Sequence, residues 1–271
     1  MRTSNLTFDT VWAPHFDAHD NPVKTSIAIF STPRTGSQSL CRLLYAMGLG
    51  VPAEYFLQRV MERYGERFLG GPPTVDATFT KAYVRAIADH RCRNGCISYK
   101  IHADQHRQVT ADLGKAWEDT LPSLTIIRLR RRDIVAQAVS LGAALQTGIW
   151  DDASGELLKR PGALNENVAE RWVDYIFRSE QYWDRYLRNT KHRVLTMFCE
   201  DFTKPEQLQT VLRALGTGHS SEEISRMLAR LPRSSHNHQL SSDLAQRFGE
   251  HISQHWHKLM TKAGPFKQAT P

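Results

Sequence analysis

Three groups of residues in this chain have the types and spacing to do chemistry. The first is Ser31–Leu40, "STPRTGSQSL", which follows the apolar run "SIAIF". In a strand-to-helix turn the first N–H groups of the helix lack partners and the dipole end is positive, which suits phosphate or sulfate. Gly36 lets the backbone curl close to such an anion, while Arg34, Thr35, Ser37 and Ser39 supply charge and hydroxyl donors. The plain alternative is a structural turn with Ser37 as the helix N-cap. A nucleoside-triphosphate loop would show more glycines and a Gly-Lys-Ser/Thr end, and none follows Gly36.

The second group is "LTIIRLRRRDIVAQAVS", a strand, an arginine cluster and a helix. Arg132 stands eight residues before Ser140 and Arg131 nine. A strand-end arginine and a hydroxyl from the next helix can grip a further anion; the alternative is a solvated basic turn. Asp133 reads as the cap of that helix.

The third is Glu54 in "GVPAEYF", on a segment that a Gly-x-Pro turn can swing back toward the anion turn. A carboxylate within reach of a hydroxyl can act as general base, worth roughly 10²–10⁴ in rate. Read alone, it is more simply a surface glutamate opening the next helix. Lys100 ends a strand in "YKIHADQ" and either steadies an anionic group or snorkels to solvent. His102, Gln105 and His106 are candidates to line an acceptor site.

Elements must hold these groups together. "SIAIF" (26–30), "CISYKI" (96–101), "SLTIIRL" (123–129) and "RVLTMF" (193–198) read as buried strands. Helical patterns over 37–47, 133–148 and 165–189 alternate with them. That order predicts an α/β fold with a P-loop-like central parallel sheet, flanked by helices on both faces. Ligands of such sheets bind at the carboxyl ends of the strands, where "STPRTGS", "HADQ", "RRRD" and "CEDF" lie. The helix at 165–189 carries Val168, Trp172, Tyr175, Ile176 and Trp183 at helical spacing, which reads as core or subunit contact.

The chain has 271 residues, enough for one α/β domain spanning 1–271, with 1–24 an N-terminal extension and 231–271 a polar loop (231–242) and last helix. No apolar run reaches the length of a membrane span, and the N-terminus lacks a secretory leader, so a cytoplasmic protein is expected. A net charge of +7 suits an acidic partner. Interleaved acids and the lack of a nucleic-acid motif argue against nucleic acid and leave an anionic membrane surface or a polyphosphorylated small molecule. The cluster His90, Cys92, Cys96 and His102 lacks a zinc-ligand layout, and no metal is expected.

The combination resembles the PAPS-dependent sulfotransferases, whose donor is 3′-phosphoadenosine 5′-phosphosulfate (PAPS) and whose nucleotide product is PAP. More narrowly the chain is similar to the bacterial trehalose 2-sulfotransferase family. The matching pieces, in family order, are "PRTGSQSL", "GVPAEYF", "YKIHADQ", "RRRDIVAQAVS…ALQTGIW" and "EDF…LRALG". The resemblance implies a single sulfotransferase domain that moves sulfonate to a hydroxyl of a carbohydrate or glycolipid. It implies catalytic roles for Glu54, as base, and for Arg34 and Lys100. Donor contacts would come from Arg34, Thr35, Gly36, Ser37, Gln38 and Ser39 and, around the 3′-phosphate, from Arg131 or Arg132 with Ser140. The family spacing favours Arg131. Glu54, Tyr55, His102 and Gln105 would bind the acceptor: trehalose, a glycolipid or a lipopolysaccharide sugar. A homodimer is also implied. Gln38 stands where the family commonly has Ser or Thr, and Pro33 and Arg132 depart from its pattern. A P-loop kinase and a non-catalytic polyanion-binding module are the competing readings.

Overall fold

The computed structural model describes residues 11, 13–20, 22–70, 76–114, 117–148, 150, 165–231 and 238–263. The apolar runs form strands β2 (Thr25–Ser31), β3 (Cys96–His102), β4 (Leu124–Arg130) and β5 (Arg193–Phe198), after a short β1 (Ala18–His19). The four long strands are all parallel, in the order β3-β2-β4-β5. Every residue of β3, and all of β2 after Thr25, is buried, which is why these segments read as continuous apolar runs. From β2 the chain moves to one side to form β3, then crosses back to form β4 and β5. The direction reverses above the ends of β2 and β4, where Ser31 lies beside Leu129 and a ligand crevice belongs.

Helices flank the sheet: α1 (Ser37–Ala46), α2 (Gln58–Leu69), α3 (Ala77–Arg91), α4 (Ala103–Leu113), α5 (Ile134–Thr147), α6 (Glu166–Leu187), α7 (Pro205–Ala214), α8 (Ser221–Ala229) and α9 (His238–Ala263). The main core surrounds the sheet, and a second one, with Val139, Trp172, Ile176 and Phe248, joins α5, α6 and α9. Close approach of α5 and α6 needs Gly142, because a Cβ there would run into the Trp172 ring. Trp172 and Trp183 of α6 therefore face inward. Trp172, Ile176 and Trp183 are buried in the chain's own core, and the Trp183 indole donates to the Ser31 carbonyl at 3.1 Å.

The described residues before β2 and after α8 pack onto the rest of the domain. Val11 and Phe16 are core residues, and Asp17 pairs with Arg67 and with fully buried Arg91. The last helix is already under way at His238, inside the stretch expected as polar loop (231–242), and it packs against α5 and α6. Residues 232–237 lie outside the described residues. No helix among the described residues is long and apolar enough to cross a membrane.

Candidate active site

The turn after β2 has two left-handed residues within three, Arg34 at φ 66° and Gly36 at φ 73°. At Gly36 the need for glycine is doubled: a Cβ would sit 3.1 Å from Phe202 Cε2 and 3.3 Å from Cys199 Cβ. Gly36 is the N-cap of α1, with no side-chain cap and no acid in the first turn. Ser37 is thus the first helical residue and not the cap, and the first turn of α1, whose N–H groups lack helical partners, lines the crevice. The Thr35 hydroxyl is buried and donates to the Thr32 carbonyl at 2.9 Å, so Thr35 shapes the turn and has only its backbone to offer a ligand.

Beneath the turn lies a buried polar network. Gln137 donates to the Thr32 hydroxyl and the Pro33 carbonyl, each at 2.8 Å. Thr32 donates in turn to Glu180 at 3.2 Å. Glu180 Oε2 pairs with Arg128 at 2.7 Å and Arg130 at 2.9 Å. Breaking such a buried pair costs about 3–5 kcal/mol, because an uncompensated charge is left behind. The network holds the turn to the sheet.

The adjacent arginines after β4 part company. Arg131 lines the crevice and donates to the Arg34 carbonyl at 3.2 Å. Arg132 points elsewhere: it forks onto Asp201 at 3.0 and 3.3 Å and stacks on the Phe198 ring at 3.9 Å. Successive residues at a strand end leave on opposite sides, which separates the two arginines. Ser140, on α5, accepts from Arg34 Nε at 2.9 Å, and Arg34 Nη1 donates to the Trp150 carbonyl at 2.6 Å. Arg34, Arg131 and Ser140 thus converge across sequence separations of 97 and 106 residues. Asp133 caps α5 by accepting from the Ala136 N–H at 2.8 Å, the role its position suggested.

Glu54 reaches the same crevice from the other side. At Gly50, φ 75°, a Cβ would lie 2.9 Å from Ser98 N and 3.1 Å from the Cys96 carbonyl, so glycine brings this segment hard against β3. The segment then follows β3, with Lys100 N donating to the Ala53 carbonyl at 2.8 Å. This sets Glu54 above the end of β3, where Oε2 meets Lys100 Nζ at 2.6 Å and His102 Nε2 at 3.6 Å. Oε1 accepts from Gln105 at 2.6 Å. Burial raises the Glu54 pKa, but the Lys100 charge, then His102 and the hydrogen bonds from Lys100 and Gln105, bring it down to about 2. Glu54 is a carboxylate at neutral pH. The Ser31 carbonyl lies 3.0 Å from His102 Nδ1, which assigns the proton to Nδ1 and turns Nε2 toward Glu54.

Two expected acceptor residues are not in the crevice. Tyr55 is fully buried and its hydroxyl donates to the Val51 carbonyl, because the residue after Glu54 turns to the opposite, core side. His106 is fully buried between Glu118, at 2.9 Å, and the Tyr182 hydroxyl, at 2.6 Å, under the sheet.

The crevice is a cleft of about 970 Å³ that Arg34, Gly36, Ser37, Gln38, Ser39, Glu54, Lys100, His102, Gln105, Arg131 and Ser140 all line. Sequence reasoning missed Arg42, Arg59, Asp104, Tyr175, Ser241 and Ser242 on its walls. Arg42 was open to inference, since it follows Gln38 by four residues on one helix face. The rest reach the cleft through packing between distant elements. Among the described residues no group of three His, Cys, Asp or Glu is placed to hold a metal ion.

A parallel sheet, an anion-binding turn without a Walker end, and an arginine and serine meeting it from α5 and its approach are consistent with the sulfotransferase fold. Residues 26–251 match the Stf0 sulphotransferase family, and the chain belongs to that family. The match spans the sheet and every crevice residue from Arg34 to Ser242. No curated protein matches the chain in a sequence comparison. Family membership makes the protein a sulfotransferase.

Proposed function

We propose that the protein moves the sulfonate of PAPS to a hydroxyl of a carbohydrate or glycolipid. The observation that carries this reading is that one cleft gathers the anion turn, Arg131 with Ser140, and Glu54 with Lys100. Three sites that are far apart in sequence each match one part of the reaction.

The donor half fits an anion at each end. The open N-terminus of α1, with Arg34 and Ser37, would take the 5′-phosphosulfate, and Arg131 and Ser140 the 3′-phosphate. In the transfer the acceptor oxygen attacks sulfur while the bond from sulfur to the phosphate oxygen breaks, its electrons leaving with PAP. The N–H groups of residues 35–38 and the Arg34 guanidinium stabilise the charge that gathers on the leaving phosphate. The acceptor proton passes to Glu54.

A carboxyl held at about 2 is a weak base, and Lys100 accounts for that and relieves it. A sulfonate beside Lys100 competes with Glu54 for Nζ. As Lys100 turns toward it, Glu54 loses its chief counter-charge and burial raises its basicity, at the stage when the acceptor proton has to leave.

The test is to incubate the protein with a sugar panel, EDTA and either PAPS or ATP, and to read the products by mass spectrometry. Sulfonated sugar from PAPS, and no phosphorylated sugar from ATP, is the expected result. Transfer from ATP, or none from PAPS with any sugar, contradicts the reading. A polyanion-binding module would explain the basic charge but gives the Glu54–Lys100 pair nothing to do.

A further inference from the structure

Glu54 is held through both of its carboxylate oxygens, and the two holds differ in kind. Oε2 meets the Lys100 ammonium at 2.6 Å, at the end of a flexible four-carbon stem. Oε1 accepts from Gln105 Nε2, also at 2.6 Å, and this donor is fixed. Gln105 is the third residue of α4, which starts directly after β3 with His102 as its N-cap. The Gln105 Oε1 accepts from the His102 backbone N–H at 3.0 Å, closing the first turn on itself. A backbone N–H can only donate, and Glu54, a carboxylate at neutral pH, can only accept. The two partners therefore allow the amide a single orientation. Reversing it would set oxygen against oxygen and NH2 against N–H. At 7% exposure, Gln105 has little water to take the place of either bond.

The backbone around Glu54 is anchored as well. Lys100 N donates to the Ala53 carbonyl at 2.8 Å, the Tyr83 hydroxyl to the Tyr55 carbonyl at 2.7 Å, and Leu57 N to the Glu54 carbonyl at 3.3 Å. These bonds leave the rotation of the Glu54 side chain open, and Gln105 closes it.

We infer that Gln105 is a positioning residue of the transfer. It pins Oε1 of Glu54, so that Oε2, the oxygen that Lys100 can release, is the one that receives the acceptor proton. Gln105 acts through Glu54 and not by gripping the sugar, the role that the family resemblance assigned to it. This rests on the sulfonate-transfer reading above and deepens it.

The experiment uses the full chain as wild type, Gln105→Glu and Gln105→Met. Glutamate keeps an oxygen for the His102 N–H, as in an ordinary capping box, but replaces the donor to Glu54 with a second acid. Two carboxyls in one site share a proton, and Lys100 keeps the negative charge on Glu54. When protonated, the introduced carboxyl donates to Oε1 as the amide does; when ionised, it repels Oε1. The other titratable groups facing Glu54 are Lys100 and His102 of β3, Cys41 of α1 and Tyr175 of α6, with Asp104 of α4 beside Tyr175. The substitutions leave all of them in place.

Initial rates are measured between about pH 5 and 8 with PAPS and trehalose, or the panel sugar that the wild type uses best. At the upper end each variant should lose about 10–100-fold in kcat, the worth of a hydrogen bond to a charged group, with KM for the sugar within about twofold. As pH falls, Gln105→Glu should recover at least about tenfold relative to the wild type, and Gln105→Met should not. PAP affinity by calorimetry stays at the wild-type value in both. A raised KM with kcat retained overturns the proposal, because Gln105 would then grip the sugar. So does a Gln105→Glu deficit that is the same at every pH, or a loss of PAP binding, either of which marks a structural role alone. Should the paired carboxyls keep Gln105→Glu from folding, the split between kcat and KM in Gln105→Met decides. A wild type that transfers from PAPS to no sugar is a distinct result, which overturns the transfer reading and the proposal with it.

Discussion

In the donor half of the cleft, Arg34 and Gly36 owe their positions to backbone geometry. The turn takes two left-handed residues, Phe202 closes over the glycine, and a buried network through Thr32, Gln137 and Glu180 ties it down. In the acceptor half, Glu54 owes its position to other side chains: Lys100, His102 and Gln105 hold it above the end of β3. The first arrangement is tied to the backbone and would suit a ligand whose two anionic ends are always the same. The second is an ion pair that can exchange partners, which suits a group that must change basicity during the reaction. On the proposed reaction, a fixed grip and a movable base would sit side by side in one cleft.

Five substitutions test that contrast. Glu54→Gln removes the base and leaves the donor half intact, so turnover should fall about 10²–10⁴-fold while PAP binding by calorimetry is unaltered. Near-normal turnover would remove Glu54 from the mechanism. Lys100→Met strips Glu54 of its largest stabilising charge and leaves the burial that raises its pKa. In the wild type Glu54 is depressed to about 2, so what it adds to stability is fully present above the ordinary carboxylate range and is lost as pH falls toward 2. In the variant the carboxyl should titrate well above that value, and the acid limb of the kcat/KM profile should move up with it. An unmoved limb would show that Lys100 does not tune the base.

The adjacent arginines provide the third test. Arg131→Gln should weaken PAP binding about 10–100-fold, the worth of a charged hydrogen-bonding contact of ~1.5–3 kcal/mol. Arg132→Gln, which loses the half-exposed pairing with Asp201 and Glu200 and the stacking on Phe198 but no contact in the crevice, should leave PAP affinity within about twofold. Reversed effects would exchange their roles. Ser140→Ala should be the mildest, weakening PAP by a few fold, in line with one neutral hydrogen bond of roughly 0.5–1.5 kcal/mol.

The donor half was largely legible in the sequence, because it is local. An apolar run, a glycine and a helix start describe the turn, and the Arg131-to-Ser140 spacing is that of a strand end and the following helix. The strand ends of β2, β3 and β5 also lie within one residue of where the apolar pattern put them. The acceptor half was legible only through Glu54, Lys100, His102 and Gln105, which lie on or just after recognisable elements. Arg59, Tyr175 and Ser241 come from three different helices, and no local pattern says which way each helix turns. Tyr55 shows the converse error. The family resemblance placed it with the acceptor, whereas consecutive residues of an extended segment face opposite sides and its ring belongs to the core. Arg131 and Arg132 were left open for the same reason.

The central claim is that a single cleft grips both anionic ends of the donor nucleotide. It is tested most directly by titrating the full chain with PAP and with 5′-AMP in EDTA and comparing the two dissociation constants. The two-ended grip predicts that PAP binds at least about tenfold more tightly, since only PAP brings a 3′-phosphate to Arg131 and Ser140. Equal affinities for the two nucleotides would contradict it.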